Sequence, residues 1–336
     1  MSNTAQTETL RKIAKLLVAP KKGILASDES TKSINKKFAE FGIEQSAEMH
    51  RQYREIFIGT ENLGEYVSGV IMYDETLRQR DSKNTPFTKI LMDKGVLPGI
   101  KVDKGLADLP NFEGEKVTEG LDGLGERLKE YYELGARFTK WRCLMSIDTS
   151  KNLPSDACIL ANAHTLARYA AIVQQNGMVP IVEPEVLYKG DHSRLKAEEV
   201  TTKVLLATFE QLMRYKVDLQ AIILKTSMVL AGKECPAQST PAEVATATIR
   251  TFKTAVPDYV PGIVFLSGGQ DEEQATVNLG AIVEEGKKQG VKWALTFSFL
   301  RALEQPSLEI WQGSAENVTK AREVFVQELK ANKAVL

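Results

Sequence analysis

The stretch that decides the fold is LQAIILKTSMVL, residues 219–230. Its run of aliphatic residues between polar segments is typical of a strand that is buried on both faces. Lys225 stands at the end of that strand, among aliphatic neighbours. A buried ammonium is costly unless it is paired or gives up its proton. The position therefore indicates either a structural ion pair or a chemical role for this lysine.

Seven further apolar runs have the same character as 219–225, and each is bounded by turn residues. They are GILAS (23–27), VSGVIMY (67–73), PGIKV (98–102), RFTKWR (137–142), VPIVEPE (179–185), PGIVFLS (261–267) and KWALTFS (292–298). Their length and content of β-branched residues predict eight buried strands in all.

Segments of helical period separate these runs. In residues 200–213 the apolar residues recur on one helical face. The sequence TPAE at 240–243 supplies a Thr N-cap, a Pro at the first helical position and a Glu at the third, which predicts a helix start. Helices are also predicted over 158–176, 271–288 and 314–333. The polar segment 74–95 is predicted to be a long loop with one short helix.

Eight repeats of strand and helix are the pattern of a (β/α)8, or TIM, barrel. A doubly wound open sheet is the alternative that the same pattern allows. No internal repeat, low-complexity tract or Pro/Ser-rich linker divides the chain. We therefore expect one α/β domain over residues 1–336, with a short N-terminal helix before the barrel and a C-terminal helix and tail after it.

Composition narrows the function classes. The 336 residues carry 43 Lys and Arg against 44 Asp and Glu, so no overall basic field favours nucleic acid or an anionic membrane. No secretory signal and no apolar run of membrane-spanning length is evident. Cys143, Cys158 and Cys235 form no C-x-x-C pair, which favours reduced thiols and a cytoplasmic protein.

Almost every predicted strand ends in charged or hydroxyl side chains. These residues are Asp28, Lys101, Lys140, Arg142, Glu183, Glu185, Lys225, Ser267, Ser298 and Arg301. In a barrel, the carboxyl ends of all strands meet at one mouth, where polar groups are typical of an active site. A structural ion pair explains any one of them, but the convergence of so many cations and carboxylates is costly for stability alone. The set indicates a site for an anionic substrate.

The sequence FLSGGQDEE, residues 265–273, adds a strand, a Gly-Gly turn and an acidic helix start. This arrangement aims backbone N–H groups into a barrel mouth, as phosphate sites after late barrel strands do. The histidines have no ligand spacing, and no H-E-x-x-H, G-x-G-x-x-G or Walker A motif is present. No metal and no cofactor is therefore predicted.

A chemical role for Lys225 follows from these surroundings. An ordinary lysine amine, with a reference pKa of about 10.4, is almost wholly charged at neutral pH. An apolar strand end and the nearby cations Lys140 and Arg142 disfavour the charged form of Lys225. A neutral amine in a site for anionic carbonyl compounds indicates Schiff-base chemistry. Glu183 or Glu185 would then move the protons that carbinolamine formation and dehydration require.

Seven motifs, taken in order, resemble one family. They are KGILASDEST (22–31), GIKVDKG (99–105), ARFTKWR (136–142), PIVEPE (180–185), ILKTSMV (223–229), FLSGGQ (265–270) and ALTFSFLRAL (294–303). With them the chain resembles class I fructose-bisphosphate aldolase from about residue 12 to about residue 330. The resemblance implies a (β/α)8 barrel and metal-independent, reversible cleavage of fructose 1,6-bisphosphate to dihydroxyacetone phosphate and glyceraldehyde 3-phosphate, in glycolysis and gluconeogenesis.

The resemblance also implies catalytic roles. Lys225 is similar to the lysine that condenses with the C2 ketone of the substrate. Glu183 is similar to the acid/base that drives carbinolamine dehydration, and Asp28 to the carboxylate near the C4 hydroxyl. Lys140 resembles the lysine that assists charge and proton handling around C2 to C4, and Glu185 resembles its orienting partner.

The phosphate sites follow by the same resemblance. Ser267, Gly268 and Arg301 match the site of the C1-phosphate, with Gly269 in the same turn and Ser298 beside it.

On the other side of the pocket, Ser30, Ser33 and Lys37 match the region that takes the C6-phosphate. Lys101 and Arg142 match further basic residues of the pocket.

Four features depart from the family's pattern. Lys37 stands where Arg is frequent, so the bidentate fork of a guanidinium is lost. Lys32 and Leu300 stand where Gly is frequent. The chain ends in KANKAVL, without the longer tail ending in Tyr of animal members. The first three departures bear on phosphate geometry and on the preference between fructose 1,6-bisphosphate and fructose 1-phosphate, and the fourth bears on the role that the tail has in turnover.

The resemblance implies a homotetramer with no nucleic-acid or membrane partner, and it allows cytoskeletal or metabolic protein partners. Two alternatives stay open at this point. One is a barrel aldolase for another sugar phosphate, and the other is a non-catalytic binding or scaffolding protein that kept the pocket. The intact set of Asp28, Lys140, Glu183 and Lys225 argues against the second.

Overall fold

A computed structural model describes residues 3–336 of the chain; Met1 and Ser2 lie outside the described residues. Ten strands are present in that range. They are β1 (Gly23–Ser27), β2 (Val67–Met72), β3 (Leu97–Lys101), β4 (Leu106–Asp108), β5 (Lys116–Thr118), β6 (Phe138–Met145), β7 (Val179–Val186), β8 (Ile223–Thr226), β9 (Gly262–Phe265) and β10 (Ala294–Phe297). Strands β4 and β5 form a separate antiparallel pair, and the other eight form one sheet.

The eight-stranded sheet has the order β1-β2-β3-β6-β7-β8-β9-β10, and each neighbouring pair is parallel. Its first and last strands also approach each other. The backbone N–H of Ala26 donates to the carbonyl of Phe299 at 3.0 Å, and the Thr296 hydroxyl donates to the carbonyl of Lys22 at 2.8 Å. The sheet is therefore a nearly closed barrel, which confirms the predicted (β/α)8 architecture over the open-sheet alternative.

Twelve α-helices accompany the strands. They are α1 (Asn3–Leu17), α2 (Thr31–Glu40), α3 (Ala47–Ile58), α4 (Asp74–Arg78), α5 (Phe87–Asp93), α6 (Leu124–Glu133), α7 (Asp156–Gln175), α8 (Arg194–Arg214), α9 (Pro241–Ala255), α10 (Glu272–Lys288), α11 (Arg301–Trp311) and α12 (Val318–Ala334), with short 3₁₀ turns at Leu63–Glu65, Leu219–Ala221 and Ala315–Asn317. The predicted capping box at Thr240 and Glu243 opens α9.

Two local predictions need correction. Residues 219–221 form a 3₁₀ turn before β8 rather than the start of the strand, because the Asp218 carboxylate accepts from the N–H of Gln220 and caps the turn. The segment 74–95 holds two short helices, α4 and α5, rather than one. Buried apolar side chains such as Leu77 and Leu91 anchor them, so the polar majority of that segment was a misleading signal.

Apolar side chains fill the interior of the barrel at its amino-terminal end. Phe138 and branched aliphatic side chains from the strands form one apolar cluster with the inner face of α1. The Ser68 hydroxyl donates to the last carbonyl of α1, at Leu17, and the Arg11 guanidinium pairs with Asp218 at 2.7 Å. Helix α1 therefore closes the amino-terminal end of the barrel, and only the opposite mouth is left for polar side chains.

The tightest packing inside the barrel is between Gly99 and Phe138. A Cβ placed on Gly99 would lie 2.2 Å from the Phe138 ring. Overpacking of this kind costs about 1–3 kcal/mol, so we expect Gly99→Ala to lower the free energy of unfolding by that amount. Urea denaturation followed by circular dichroism measures it.

Gly125→Ala is the matched control for this prediction. Gly125 lies in α6, and the nearest atom that its Cβ would meet is 4.0 Å away. The control is expected to be neutral or to stabilise by roughly 0.5–1 kcal/mol, because Ala favours a helix over Gly. Equal effects of the two substitutions would refute a steric origin.

Candidate active site

Four charged side chains are buried together at the carboxyl mouth of the barrel. Asp28 directly follows β1, Lys140 lies in β6, Glu183 in β7 and Lys225 in β8. Each is at most 6% exposed. Strands β6, β7 and β8 are consecutive in the sheet, and Glu183 is in register with Arg142, two residues along β6 from Lys140, so the side chains of Glu183 and Lys140 meet diagonally.

Glu183 lies between the two amines. Its Oε2 is 3.3 Å from the Nζ of Lys140, and its Oε1 is 3.4 Å from the Nζ of Lys225. Lys140 also contacts the Oδ2 of Asp28 at 2.5 Å. One carboxylate therefore connects the two lysines, and Lys140 connects the two carboxylates. The predicted catalytic residues Asp28, Lys140, Glu183 and Lys225 form one contiguous cluster.

The cluster keeps its carboxylates ionised. Burial alone would raise the pKa of Asp28, but Lys140 and Lys225 outweigh it, and the pKa is lowered. The same balance holds for Glu183. Burial opposes its ionisation, but Lys140, Lys225 and Arg142 together lower its pKa. Burial disfavours the charged form of Lys140 in turn, and the carboxylates of Asp28 and Glu183 overcome it and raise its pKa. Each acid is thus available as a proton acceptor at neutral pH.

Glu185 lies beside the cluster but has a different partner. Its carboxylate accepts from the Nε of Arg142, and burial raises its pKa against the opposing effect of that guanidinium. The resemblance implied that Glu185 orients Lys140. In this structure Lys140 is held by Asp28 and Glu183 instead, and the role of Glu185 stays a prediction.

The turn after β9 is built as the sequence predicted. Gly268 and Gly269 have φ values of +65° and +100°, which favour glycine, and the N–H of Gln270 donates to the carbonyl of Ser267 at 3.1 Å. A Cβ placed on Gly269 would be 4.0 Å from an Nη atom of Arg301, so that guanidinium lies directly beside the turn.

Two further features lie at the same rim as the turn after β9. Helix α11 begins at Arg301, so the unpaired N–H groups of its first turn lie at the same rim of the barrel. Ser298 is buried, and its hydroxyl has no hydrogen-bond partner within residues 3–336. A turn, a guanidinium, a helix start and an unsatisfied hydroxyl together suit an anion.

On the other side of the mouth, the serines cap α2. The Ser30 hydroxyl accepts from the N–H of Ser33 at 3.3 Å, and the two hydroxyl oxygens are 3.0 Å apart. Lys37 is 2.7 Å from Glu29, and Lys101 is 2.6 Å from Asp103. These predicted phosphate-binding cations therefore have carboxylate partners inside the protein.

Sequence reasoning missed those partners. Glu29 and Asp103 lie inside two of the quoted motifs, next to Asp28 and Lys101, so proximity in sequence was an available signal. Arg54 and Glu304 form a second missed pair, 3.1 Å apart and almost fully buried. Arg54 lies within α3 and Glu304 in the first turn of α11, both outside the quoted motifs, and no signal in the sequence points to their contact.

Within 3–336, no group of three or more His, Cys, Asp or Glu side chains is placed to hold a metal ion. In that same range, none of the helices combines the length and the apolarity needed to cross a membrane.

Comparisons with known proteins agree with the geometry. The family model described as glycolytic fructose-bisphosphate aldolase class-I matches residues 9–336. The fructose-bisphosphate aldolase of Plasmodium falciparum is 49% identical over 97% of this chain and 87% of that protein. A probable fructose-bisphosphate aldolase class 1 of Xanthomonas campestris pv. campestris is 47% identical over 97% of this chain and 96% of that protein.

A solved structure is also similar. It is fructose-bisphosphate aldolase from Plasmodium falciparum in complex with TRAP and a small-molecule inhibitor. The similarity has a TM-score of 0.96 and 48% sequence identity, and it covers 98% of this chain and 94% of that chain.

The charge cluster predicts how Lys140→Met changes stability. The substitution leaves the carboxylates of Asp28 and Glu183 buried beside each other without their shared cation. Breaking a buried pair in this way costs about 3–5 kcal/mol, which we expect as the loss in free energy of unfolding at pH 7. Chemical denaturation measures it.

The pH dependence of that loss has a definite sign. In the native chain both carboxyl pKa values are lowered, so their stabilisation is present at neutral pH and is lost on acidification. In the variant the uncompensated carboxyl groups regain protons as pH falls, so the difference from the native chain narrows between pH 7 and pH 5. Lys129→Met, which removes an exposed amine in α6, is the control with little effect. A difference that widened on acidification would contradict this account.

Proposed function

The chain belongs to the class-I fructose-bisphosphate aldolase family and is a lyase of that class, and from this membership we propose that it cleaves fructose 1,6-bisphosphate through a Schiff base on Lys225, without a metal ion. The products are dihydroxyacetone phosphate and glyceraldehyde 3-phosphate, and the reaction is reversible. The single observation that carries the proposal is the position of Glu183, with one carboxylate oxygen on Lys225 and the other on Lys140.

The first half of the reaction forms the Schiff base. Glu183 accepts a proton from the Lys225 ammonium at 3.4 Å, and the free amine attacks the C2 carbonyl carbon. The second amine proton moves to the former carbonyl oxygen, which gives a carbinolamine. Glu183 then returns its proton to that hydroxyl, which leaves as water while the nitrogen forms the iminium ion. The carboxylate ends as it began, and the positive charge has passed from the ammonium to the iminium.

The second half breaks the C3–C4 bond. Asp28 accepts the proton of the C4 hydroxyl, the C3–C4 electron pair moves into the iminium to give an enamine, and glyceraldehyde 3-phosphate leaves. The lowered pKa of Asp28 suits a base, and Lys140 at 2.5 Å balances its charge. Protonation of the enamine at C3 and hydrolysis of the iminium release dihydroxyacetone phosphate and regenerate Lys225.

The phosphate groups would anchor the substrate at opposite rims of the mouth. We assign the C1-phosphate to the turn at Ser267–Gly269, with Arg301, and the C6-phosphate to Ser30, Ser33 and Lys37. Leu300 does not oppose this assignment. Its φ is −113°, which is open to any residue, and its side chain packs on the apolar cluster inside the barrel.

Reductive trapping tests the proposal. We expect borohydride and dihydroxyacetone phosphate to leave one covalent adduct on the full-length protein, which peptide mass spectrometry maps to Lys225. Lys225→Ala is expected to lose the adduct and cleavage activity, with an unchanged circular dichroism spectrum. Cleavage is also expected to persist in excess chelator. An adduct on Lys140 or Lys101, or none, would reject the Schiff-base assignment.

We also propose that the chain forms a homotetramer and works in the cytoplasm, in both glycolysis and gluconeogenesis, as one domain over residues 1–336. Large apolar side chains exposed on and beside α7, α8 and α9 support self-association. They are Leu160, Leu206, Met213, Tyr215 and Tyr259, each at least 36% exposed. Large apolar side chains exposed on neighbouring helices are typical of an interface between chains. The cytoskeletal or metabolic partners that the resemblance allows stay predictions.

Light scattering after gel filtration tests the assembly. We expect a mass of four chains of 37.2 kDa each. The double substitution Leu206→Glu and Met213→Glu places charge among those exposed apolar side chains and is expected to give smaller species. Met92→Glu, which charges an equally exposed apolar side chain in α5, should leave the mass unchanged. A native mass of one chain would rule out the tetramer.

A further inference from the structure

A buried row of charges lies behind the mouth, and the reaction described above does not use it. Arg54 of α3 is 3.1 Å from Glu304 of α11 and 3.9 Å from Glu29. Glu29 is in turn 2.7 Å from Lys37 of α2. Arg54 and Glu304 are at most 1% exposed. The row therefore connects three helices to the loop that carries Asp28.

The positive and negative charges of the row are equal in number only while Lys37 is part of it. With Glu304 ionised, as above about pH 7, it then contains two carboxylates and two cations. The Ser27 hydroxyl accepts a further hydrogen bond from Arg54 at 2.8 Å, so one donor of the guanidinium is already used. One oxygen of Glu304 and one of Glu29 have no hydrogen-bond donor among the described residues.

Binding of a phosphate by Lys37 would disturb this balance. An amine that turns toward the substrate leaves Glu29, and Glu29 and Glu304 then share Arg54 alone. Two buried carboxylates with one cation between them do not both stay ionised without a large cost. The least costly remedy is the uptake of one proton.

We propose that Glu29, Arg54 and Glu304 are positioning residues that hold Lys37 in the free enzyme, and that release of Lys37 to the C6-phosphate is coupled to proton uptake by Glu304. This inference rests on the proposed function, since it takes Lys37 as a phosphate ligand. It makes Glu29 an internal competitor of the phosphate.

Glu304 is the carboxyl group best placed to take the proton. Burial raises its pKa to about 7; Arg54, Ser27 and Lys37 act in the opposite direction, and Glu29 adds to the rise. Loss of Lys37 therefore moves this pKa further upward.

Two further neighbours of α11 bring no charge to Glu304. The Tyr53 phenol of α3 also lies beside Glu304, and burial raises its pKa well above the ordinary value, so it stays neutral. Helix α12 meets α11 through a hydrogen bond from the Ser307 hydroxyl to the carbonyl of Ala321 at 3.0 Å. The uptake of a proton on release of Lys37 is therefore assigned to the carboxyl groups.

The sign of the pH dependence follows. Below about pH 7 Glu304 already carries its proton, and binding of a bisphosphate takes up none. Above that pH each bound bisphosphate takes up a proton, so affinity falls with rising pH, by up to about tenfold per pH unit. A ligand without the C6-phosphate leaves Lys37 paired with Glu29, so its affinity lacks the pH dependence that this proton uptake causes.

Calorimetry on the full-length protein measures the proton directly. The probes are the unreactive hexitol 1,6-bisphosphate and hexitol 1-phosphate, titrated at pH 8 in two buffers of different ionisation enthalpy. We expect the bisphosphate to take up on the order of half a proton or more beyond the monophosphate. Equal uptake by the two ligands would overturn the proposal.

Glu304→Gln tests the assignment to one side chain. It is expected to abolish the extra uptake and the rise in KM for fructose 1,6-bisphosphate between pH 7 and pH 8.5, while KM for fructose 1-phosphate keeps its pH profile. Glu309→Gln, an exposed glutamate of the same helix, is the matched control that keeps both. Extra uptake that survives in Glu304→Gln would also overturn the proposal.

A second variant covers a folding failure of Glu304→Gln. Lys37→Met, at a half-buried position, removes the group that moves, and it is expected to equalise proton uptake between the two ligands. Persistence of the difference in Lys37→Met would refute the coupling. Failure of the proposed function has a different signature: neither sugar phosphate is cleaved and no adduct forms on Lys225, whatever the proton count.

Discussion

The structure of the site depends on one interaction, the ion pairing of Glu183 with two amines inside the barrel mouth. A buried carboxylate is costly without a cation, and a buried amine is costly without an anion. Lys140 and Lys225 each form an ion pair with one oxygen of the Glu183 carboxylate, and Asp28 forms a second ion pair with Lys140. Because each member compensates another, the cluster keeps charges at a depth where single charges would be neutralised.

The barrel supplies the geometry for that compensation. Side chains from β6, β7 and β8 converge only because the strands are parallel, consecutive and nearly closed into a ring. The apolar filling below, sealed by α1, leaves the carboxyl mouth as the place where polar groups meet. The proposed chemistry then needs no large rearrangement within the cluster, since the proton of Lys225 has Glu183 as its neighbour before substrate arrives.

Much of this architecture was readable from the sequence. The apolar runs predicted every strand of the barrel, and the charged strand ends predicted the mouth, because both signals are local and periodic. The pairing of side chains was not readable. Glu185 with Arg142 and Arg54 with Glu304 join elements that are distant in sequence. Lys37 and Glu29 are close in sequence, but their contact depends on the rotamers of the folded protein. The segment 74–95 shows the same limit, since a few buried apolar residues outweighed its polar composition.

Those pairings change how the mouth binds an anion. Lys37, Lys101 and Arg142 each have an internal carboxylate partner, so a phosphate bound as proposed would exchange with Glu29, Asp103 or Glu185 rather than enter an empty cationic pocket. The affinity is then the difference between two ion pairs.

The outer cations differ from Lys140 in how far water reaches their amines. The side chains of Lys37 and Lys101 are 19% and 18% exposed, so water reaches the site of exchange, whereas Lys140 is 5% exposed. The outer cations are therefore suited to exchange partners, and Lys140 is suited to remain fixed between Asp28 and Glu183. Exposure of the amine thus separates the cations proposed to bind phosphate from Lys140, which stays inside the buried charge cluster.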